Sequence, residues 1–484
     1  MDRRGFLKAV GAGAALVALR GGFAAAAGNV KRPNILFIFA DDYTFEGVRA
    51  LGNDEVETPN LDKLVKNGVT FTHAYNQGSW TGAVCIASRT MLNTGLFLWH
   101  AEKVDSKADM RFAQGGDKYW SQLIDSAGYD TYMTGKWHIK ADASAIFDQT
   151  TNIRGGMPNQ TAAGYNRPIE GQPDPWSPYD TKFGGYWEGG RHWSEVLADD
   201  AVGFIGQAAK SDKPFFMYLA FNAPHDPRQS PKEYVHKYPL DKIKVPENFI
   251  PEHPDKDAIG CGTKQRDESL APFPRTPYAI KVNRQEYYAI ITHMDAQVGR
   301  ILDALEKSGK AEDTYVFFSA DQGLAVGHHG LMGKQNLYDH SIRVPLIVAG
   351  PGIKKDRKID TPVYLQDIMP STLELAGVEK PGYVQFHSLM PLIRGKGKPP
   401  YDAIYGGYLA VARMVAQDGY KLLLFPKVKK VLLFNLKKDP QEMTNLAEKR
   451  ESKQRIKTLF AKLVELQKET GDELDLKAIY PDLL

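Results

Sequence analysis

Residues 82–95, GAVCIASRTMLNTG, hold one of only two cysteines among 484 residues. On a helix, positions i, i+3 and i+4 share a face, so Cys85, Ser88 and Arg89 point the same way from a first turn. A helix N-terminus is a seat for an anion, and an arginine adds a fixed, two-pronged donor. Local sequence leaves open whether Cys85 is a packing thiol, a nucleophile or a chemically altered residue. Other reactive types recur at the ends of apolar runs. Asp41 and Asp42 follow NILFIFA, Lys136 and His138 end DTYMTGKWH, His225 follows FFMYLAFNAP, and Asp321 and Gln322 follow YVFFSA. Asp41, Asp42, Asp321 and Gln322 offer oxygen donors only, with no Cys or His pair at zinc spacing. Hard oxygen donors suit Ca²⁺ or Mg²⁺, and calcium is favoured because it accepts irregular, higher coordination. Any one of these residues alone could be a helix cap or a loop residue; four strand ends presenting them together point to a site.

The elements that must position these groups are legible as runs. NILFIFADD, KPFFMYLAFNAP, DTYVFFSADQG and RVPLIVAGPG are apolar without alternation, as in strands buried on both faces of a parallel sheet. LDKLVKNGVTFTHAY reads as helix, Gly turn and strand, and YWSQLIDSAGYDTYMTGKWH repeats that order. YYAIITHMDAQVGRILDALEKSG is a long amphipathic helix with a Gly stop. Strands alternating with helices predict an α/β domain with a large, mainly parallel sheet sandwiched by helices. Such sheets bind ligands beyond the C-terminal ends of their strands. From residue 386 the pattern changes. ARMVAQ and YKLLLF flank Asp418-Gly419, a hairpin signal, and KKVLLFNL adds a third strand. Ile456, Leu459, Phe460, Leu463 and Leu466 then form one helical stripe. The expected division is a signal segment at 1–27, an α/β catalytic domain at 28–385, and a smaller antiparallel-sheet-plus-helix subdomain at 386–484. Residues 141–195 show no period, and no internal repeat is present.

The chain carries 61 basic and 58 acidic residues. Four of the bases (Arg3, Arg4, Lys8, Arg20) and one acid (Asp2) lie in the first 27 residues, so the remainder carries equal numbers of each. With no polybasic block, nucleic acid is excluded as the main partner. The N-terminus has a charged start, a modest apolar run and small residues suited to cleavage near Ala27. That run is short, Gly/Ala-rich and broken by Arg20, which argues against a membrane anchor. RRGFLK resembles a twin-arginine export signal, which implies bacterial export of a folded protein to the periplasm or beyond. Cys85 and Cys261 do not make a disulfide scaffold.

CIASR resembles the signature of the type I, formylglycine-dependent sulfatases, of the alkaline phosphatase-like superfamily, in which the cysteine is oxidised to formylglycine. TPNLDKL, TGKWH, APHDP, SADQG, HHGLMGKQNLYDHSIRVPLIVAGPG, LQDIMPSTLELAG and FNLKKDPQEMTNLA match in order and spacing. The resemblance implies an alkaline phosphatase-like fold and a calcium ion held by Asp41, Asp42, Asp321 and Gln322, with modified residue 85 completing the shell. It implies that the aldehyde hydrate at 85 presents a hydroxyl to sulfur, dividing a difficult displacement into two steps. Lys136 and Lys334 then neutralise sulfate oxygens, Arg89 orients the hydrate, His138 takes the proton that triggers sulfate release, and His225 protonates the leaving alcohol. Ala87 stands where many members have proline, and Gln322 where asparagine is common. The expected partners are a sulfated sugar or oligosaccharide and a formylglycine-generating maturation enzyme. His328 and His329 are candidate substrate contacts or backbone-bonding residues. Trp176, Trp187, His192 and Trp193 either form a sugar platform or pack their loop onto the sheet. The alternative activity is that of a phosphonate monoester or phosphodiester hydrolase. A calcium-dependent glycan-binding protein without catalysis is disfavoured by the retention of Cys85, Arg89, both lysines and both histidines.

Overall fold

In the strand Asn34–Asp41 all eight side chains are buried, as are all ten of Phe215–Pro224. An apolar run with no polar face forms a stable strand only where both faces are covered, and these two pair in parallel, Ile35 opposite Phe216. The computed structural model describes residues 32–484, so the segment 1–27 lies outside the described residues. The main sheet runs in the order Arg357–Ile359, Val69–Tyr75, Arg343–Ala349, Thr314–Ala320, Asn34–Asp41, Phe215–Pro224, Asp130–Lys136, Gln149–Arg154, with Val363–Tyr364 also paired to Val69–Tyr75. Arg343–Ala349 alone runs antiparallel to both neighbours; the other pairings are parallel.

Helices cover the sheet in two groups. Val84–Thr94, Trp120–Asp125 and Ile368–Ala376 pack on one another, and Trp120 meets Phe37, Phe216 and Tyr218 on one face of the central strands. Pro59–Asn67, Trp193–Ala208 and Pro277–Lys307 form the second group. The last is 31 residues long and begins ten residues before the stretch recognised from its periodicity. Its true start is set by capping: Thr276 Oγ1 accepts from the Ala279 N–H at 3.1 Å and proline takes the first helical position, both start signals.

The smaller sheet has Ile404–Tyr408, Ala412–Gln417, Tyr420–Phe425 and Lys430–Asn435 in antiparallel order. At the predicted hairpin, Asp418 and Gly419 take φ of 54° and 81°, the two positive values a type I′ turn needs. Ile456, Leu459, Phe460, Leu463 and Leu466 are the buried stripe of helix Lys453–Thr470. A fifth strand, Gly78–Ser79, comes from the first part of the chain and pairs in parallel with Ile404–Tyr408. A Cβ on Gly78 would lie 2.0 Å from the Gly407 carbonyl oxygen, so only glycine permits this contact. The small sheet is thereby stitched to the segment that leads directly into the Cys85 helix. Two strands carry no clear apolar pattern: Ile404–Tyr408 contains two glycines, and the edge strand Gln149–Arg154 (QTTNIR) is half exposed. Among the described residues, no helix is long and apolar enough to cross a membrane.

Candidate active site

Parallel register brings the acids together. Ala40 pairs with Ala320, so Asp41 and Asp321, each one residue on, emerge side by side although 280 residues apart in sequence. Asp42 takes φ of 64°, and its N–H donates to Asp321 Oδ1 at 3.1 Å. From the neighbouring strands, Lys136 ends Asp130–Lys136 and its Nζ bonds Asp41 Oδ2. His225 follows Phe215–Pro224, with Nε2 3.6 Å from Asp42 Oδ2. Lys334 Nζ donates to both Asp42 oxygens at 2.8 and 2.6 Å.

Cys85 is the second residue of helix Val84–Thr94, whose first turn has no side-chain cap. Arg89, one turn on, is fully buried. Its Nε donates to Asp321 Oδ2 at 2.9 Å, its Nη1 to the Lys136 carbonyl at 2.7 Å, and its guanidinium lies over Phe39 at 4.7 Å. Ser88, expected on the same face, instead has its Oγ 3.5 Å from Gln366 Nε2. Cys85, His138, His225 and Lys334 open onto one cavity of about 280 Å³, shared with Arg266 and Met157.

Burial and close charges set the protonation states. Asp41 is pushed up to about 7, first by burial and then by Asp321. Burial also acts to raise Asp321, but Arg89 and Lys136 bring it down to about 2. Burial drives His138 down to about 2, with Lys136 and Arg89 adding to the effect, so its imidazole is neutral and can accept a proton. For His225 burial alone would lower the value, but Asp42 outweighs it and the net shift is upward. Burial raises the Cys85 thiol.

Among the four oxygen-donor residues at these strand ends, Asp41 Oδ1 and Gln322 Oε1 are buried with no hydrogen-bond partner. An orphaned buried acceptor is costly, and both are hard donors. Asp41, Cys85 and Asp321 also offer ligand atoms within 4.8 Å of one another. This donor set fits a hard divalent cation.

The remaining candidates do not line the cavity. Trp176 packs under Arg167 at 4.9 Å, and Trp193 under Arg154 at 3.8 Å. His192 stacks on Tyr186 at 4.8 Å, caps its helix by accepting from the Ser194 N–H, and has Trp187 edge-on at 5.3 Å. These rings pack against other residues of the 141–195 segment. His328 bonds Asn248 Oδ1 at 2.9 Å and faces Glu46 at 3.3 Å, while His329 stacks on Tyr338 at 4.1 Å. Glu46 and Asn248 line a different cavity, of about 570 Å³, which contains none of the catalytic candidates. Cys261 is buried, and its Sγ lies 3.3 Å from the Gln335 carbonyl. Three charged residues with no sequence assignment stand at the site: Asp226, Arg266 and Asp267. Asp226 adjoins His225 in APHDP and could have been suspected; Arg266 and Asp267 lie in a stretch with no motif or period.

A family model, Sulfatase, matches residues 33–378. The chain belongs to the sulfatase family. A second model, described as N-sulphoglucosamine sulphohydrolase, C-terminal, matches residues 327–469 of this sulfatase. The chain is 26% identical over 518 residues to an N-acetylglucosamine-6-O-sulfatase of Bacteroides thetaiotaomicron, covering 91% of this chain and 87% of the relative. It is 28% identical over 459 residues to an arylsulfatase of Clostridium perfringens, covering 88% and 92%. A structure solved in complex with its substrate D-glucosamine-2-N,6-O-disulfate superposes with a TM-score of 0.72 at 24% identity, covering 92% of this chain and 100% of that one. A phosphonate monoester hydrolase from Silicibacter pomeroyi also gives 0.72, at 21% identity, covering 92% and 96%. The expected fold is thus the observed one, and this sulfatase is a sulfuric ester hydrolase.

Proposed function

We propose that this sulfatase is exported and hydrolyses sulfate esters of a carbohydrate, using formylglycine at position 85 and a calcium ion held by Asp41, Asp42, Asp321 and Gln322. The observation that carries the reading is the pair of orphaned buried oxygens, Asp41 Oδ1 and Gln322 Oε1, beside Cys85 at an uncapped helix start. When present, calcium supplies charge neutralisation for sulfate oxygens, and formylglycine supplies a hydroxyl nucleophile for sulfur. Lys136 and Lys334 contribute fixed positive charge toward the same oxygens, in a buried setting where such charge counts most. Arg89, locked to Asp321 and the Lys136 carbonyl, fixes the helix turn that carries residue 85. Neutral His138 is the base that takes a proton in sulfate release, and His225 gives a proton to the departing alcohol. RRGFLK supports a periplasmic or secreted location, and CIASR a maturation enzyme that tolerates Ala87.

A sugar substrate is supported by the relative named for N-acetylglucosamine-6-O-sulfate and by the structure holding glucosamine disulfate. The phosphonate monoester hydrolase of equal TM-score supports a second reading. Purified, calcium-loaded protein assayed side by side on an aryl sulfate, an aryl phosphonate monoester, an aryl phosphodiester and a panel of defined sulfated sugars tests both. Sulfate release from a sugar is the expected result. Phosphonate or phosphodiester turnover exceeding every sulfate ester would select the second reading.

A further inference from the structure

A chain of ion pairs, its carboxylates buried and its arginine partly exposed, links two of the proposed catalytic side chains. His225 Nδ1 lies 2.9 Å from the Asp226 carbonyl oxygen and 3.0 Å from Asp226 Oδ1. Both partners are acceptors, so Nδ1 keeps its hydrogen and Nε2 is the nitrogen left to serve the cavity. Asp226 is 3% exposed, and a carboxylate so buried requires a counter-charge. Arg266 supplies it, with Nη2 3.3 Å from Oδ1 and Nη1 3.2 Å from Oδ2. The same guanidinium donates from Nε to Asp267 Oδ1 at 2.8 Å. Asp267 Oδ2 in turn accepts from Gln335 Nε2 at 2.7 Å and stands 3.8 Å from Lys334 Nζ. A planar five-donor fork holds two carboxylates in one rigid geometry, which the compact, rotatable ammonium of a lysine does not.

We infer that Asp226 is a positioning residue for His225, and that Arg266, by gripping Asp226 and Asp267 together, holds the leaving-group acid and Lys334 in fixed register. The inference rests on His225 being the acid of the proposed function. As the S–O bond breaks, its electron pair stays on the alcohol oxygen and His225 Nε2 delivers the proton there. Asp226 receives no proton; it fixes the ring and balances the imidazolium. Its loss therefore matters in proportion to how much a leaving group needs protonation.

The quantity to measure is the ratio of kcat/KM on a sugar sulfate to kcat/KM on an activated aryl sulfate, in calcium-loaded enzyme. Asp226→Asn lowers that ratio about tenfold or more, within the range of general acid catalysis. In a His225→Ala background the same change moves the ratio by less than about twofold, because its path runs through the imidazole. A ratio unchanged by Asp226→Asn, or lowered equally in both backgrounds, overturns the assignment. Asp226→Glu, which keeps the charge and moves it, is read in the same way and serves if the asparagine variant does not fold. Arg266→Lys lowers the ratio and also raises KM on both substrates, because Lys334 loses its register; an unchanged KM removes Arg266 from the inference. If the wild-type protein releases no sulfate, the proposed function fails, and the same ratio read on alkyl and aryl phosphodiesters still tests the positioning role.

Discussion

Replacing Gly156 by alanine isolates the contribution of His138. A Cβ built on Gly156 lies 2.8 Å from His138 Cε1 and 2.9 Å from Nε2. Reaching the roughly 3.5–4.0 Å of an ordinary carbon contact requires the ring to retreat by about 1 Å. The backbone of residue 156 is poorly placed to yield, because Asn222 Nδ2 donates to its carbonyl at 3.1 Å. A misplacement of about 1 Å at a catalytic group can cost ~100-fold, so kcat is expected to fall between about tenfold and a hundredfold. Stability should move the other way. Gly156 does not occupy the left-handed region, so alanine fits its backbone and stiffens the unfolded chain, worth about 0.4–1 kcal/mol. Steady-state kinetics on an aryl sulfate, with thermal melting of the same preparation, measures both quantities. A variant that melts no lower than wild type and turns over at a few per cent of its rate is the expected result. Wild-type turnover refutes the reasoning, because His138 would then either tolerate displacement or take no part in the slow step.

Exhaustive chelation should abolish turnover and lower the melting temperature, since an ion that binds only the folded state stabilises it by about 2.7 kcal/mol at a hundredfold excess over Kd; calcium should restore both. A metal-free preparation retaining its full rate would refute the ligand assignment. Peptide mass spectrometry of active protein should find an aldehyde at residue 85, and full activity with only the thiol there would rule out the modification. Lys421→Met removes the cation that bonds Asp339 Oδ1 at 2.6 Å and Glu442 Oε1 at 2.7 Å between the small sheet and the catalytic region. Leaving buried carboxylates without it costs about 3–5 kcal/mol at pH 8. Glu442 is already pushed up to about 7, by burial against the pull of Lys421. A carboxyl raised in the fold favours the fold while protonated, an advantage complete below its ordinary range and lost as pH rises through 7. The loss measured by urea denaturation should therefore shrink at pH 5, and equal losses at both pH values would contradict this.

Much of the site was legible because each group lies beside a strongly patterned element. Unbroken apolar runs located the strands, and their ends located Asp41, Lys136, His225 and Asp321. The spacing of Cys85 and Arg89 followed from helical geometry, and the set of bare oxygen donors suggested a hard cation before any contact was known. Sulfatase motifs along the chain carried the family. What local pattern reports, however, is which side chains are buried, and it is silent on what they are buried against. Trp176, His192 and Trp193 show this directly. Aromatic side chains in an irregular loop suit either a sugar or a packed interior, and only the tertiary structure shows arginines and rings packed against them, away from the cavity of Cys85. His328 and His329 share the segment that holds Lys334, yet the chain's path packs them against Asn248, Glu46 and Tyr338, off the cavity of Cys85.

The sequence by itself determined the kinds of element, their order and the chemical types at their ends, because these depend on contacts within a few residues. Tertiary structure alone decided that Asp41 and Asp321 meet, through the parallel pairing of Ala40 with Ala320. It alone stitched Gly78–Ser79 into the small sheet ahead of the Cys85 helix. It alone brought Arg266, with its neighbour Asp267, against Asp226, from a stretch with no local signal. Such contacts join residues tens to hundreds of positions apart. Their formation depends on which faces remain to be covered once the whole sheet has assembled, and no short window of sequence contains that information.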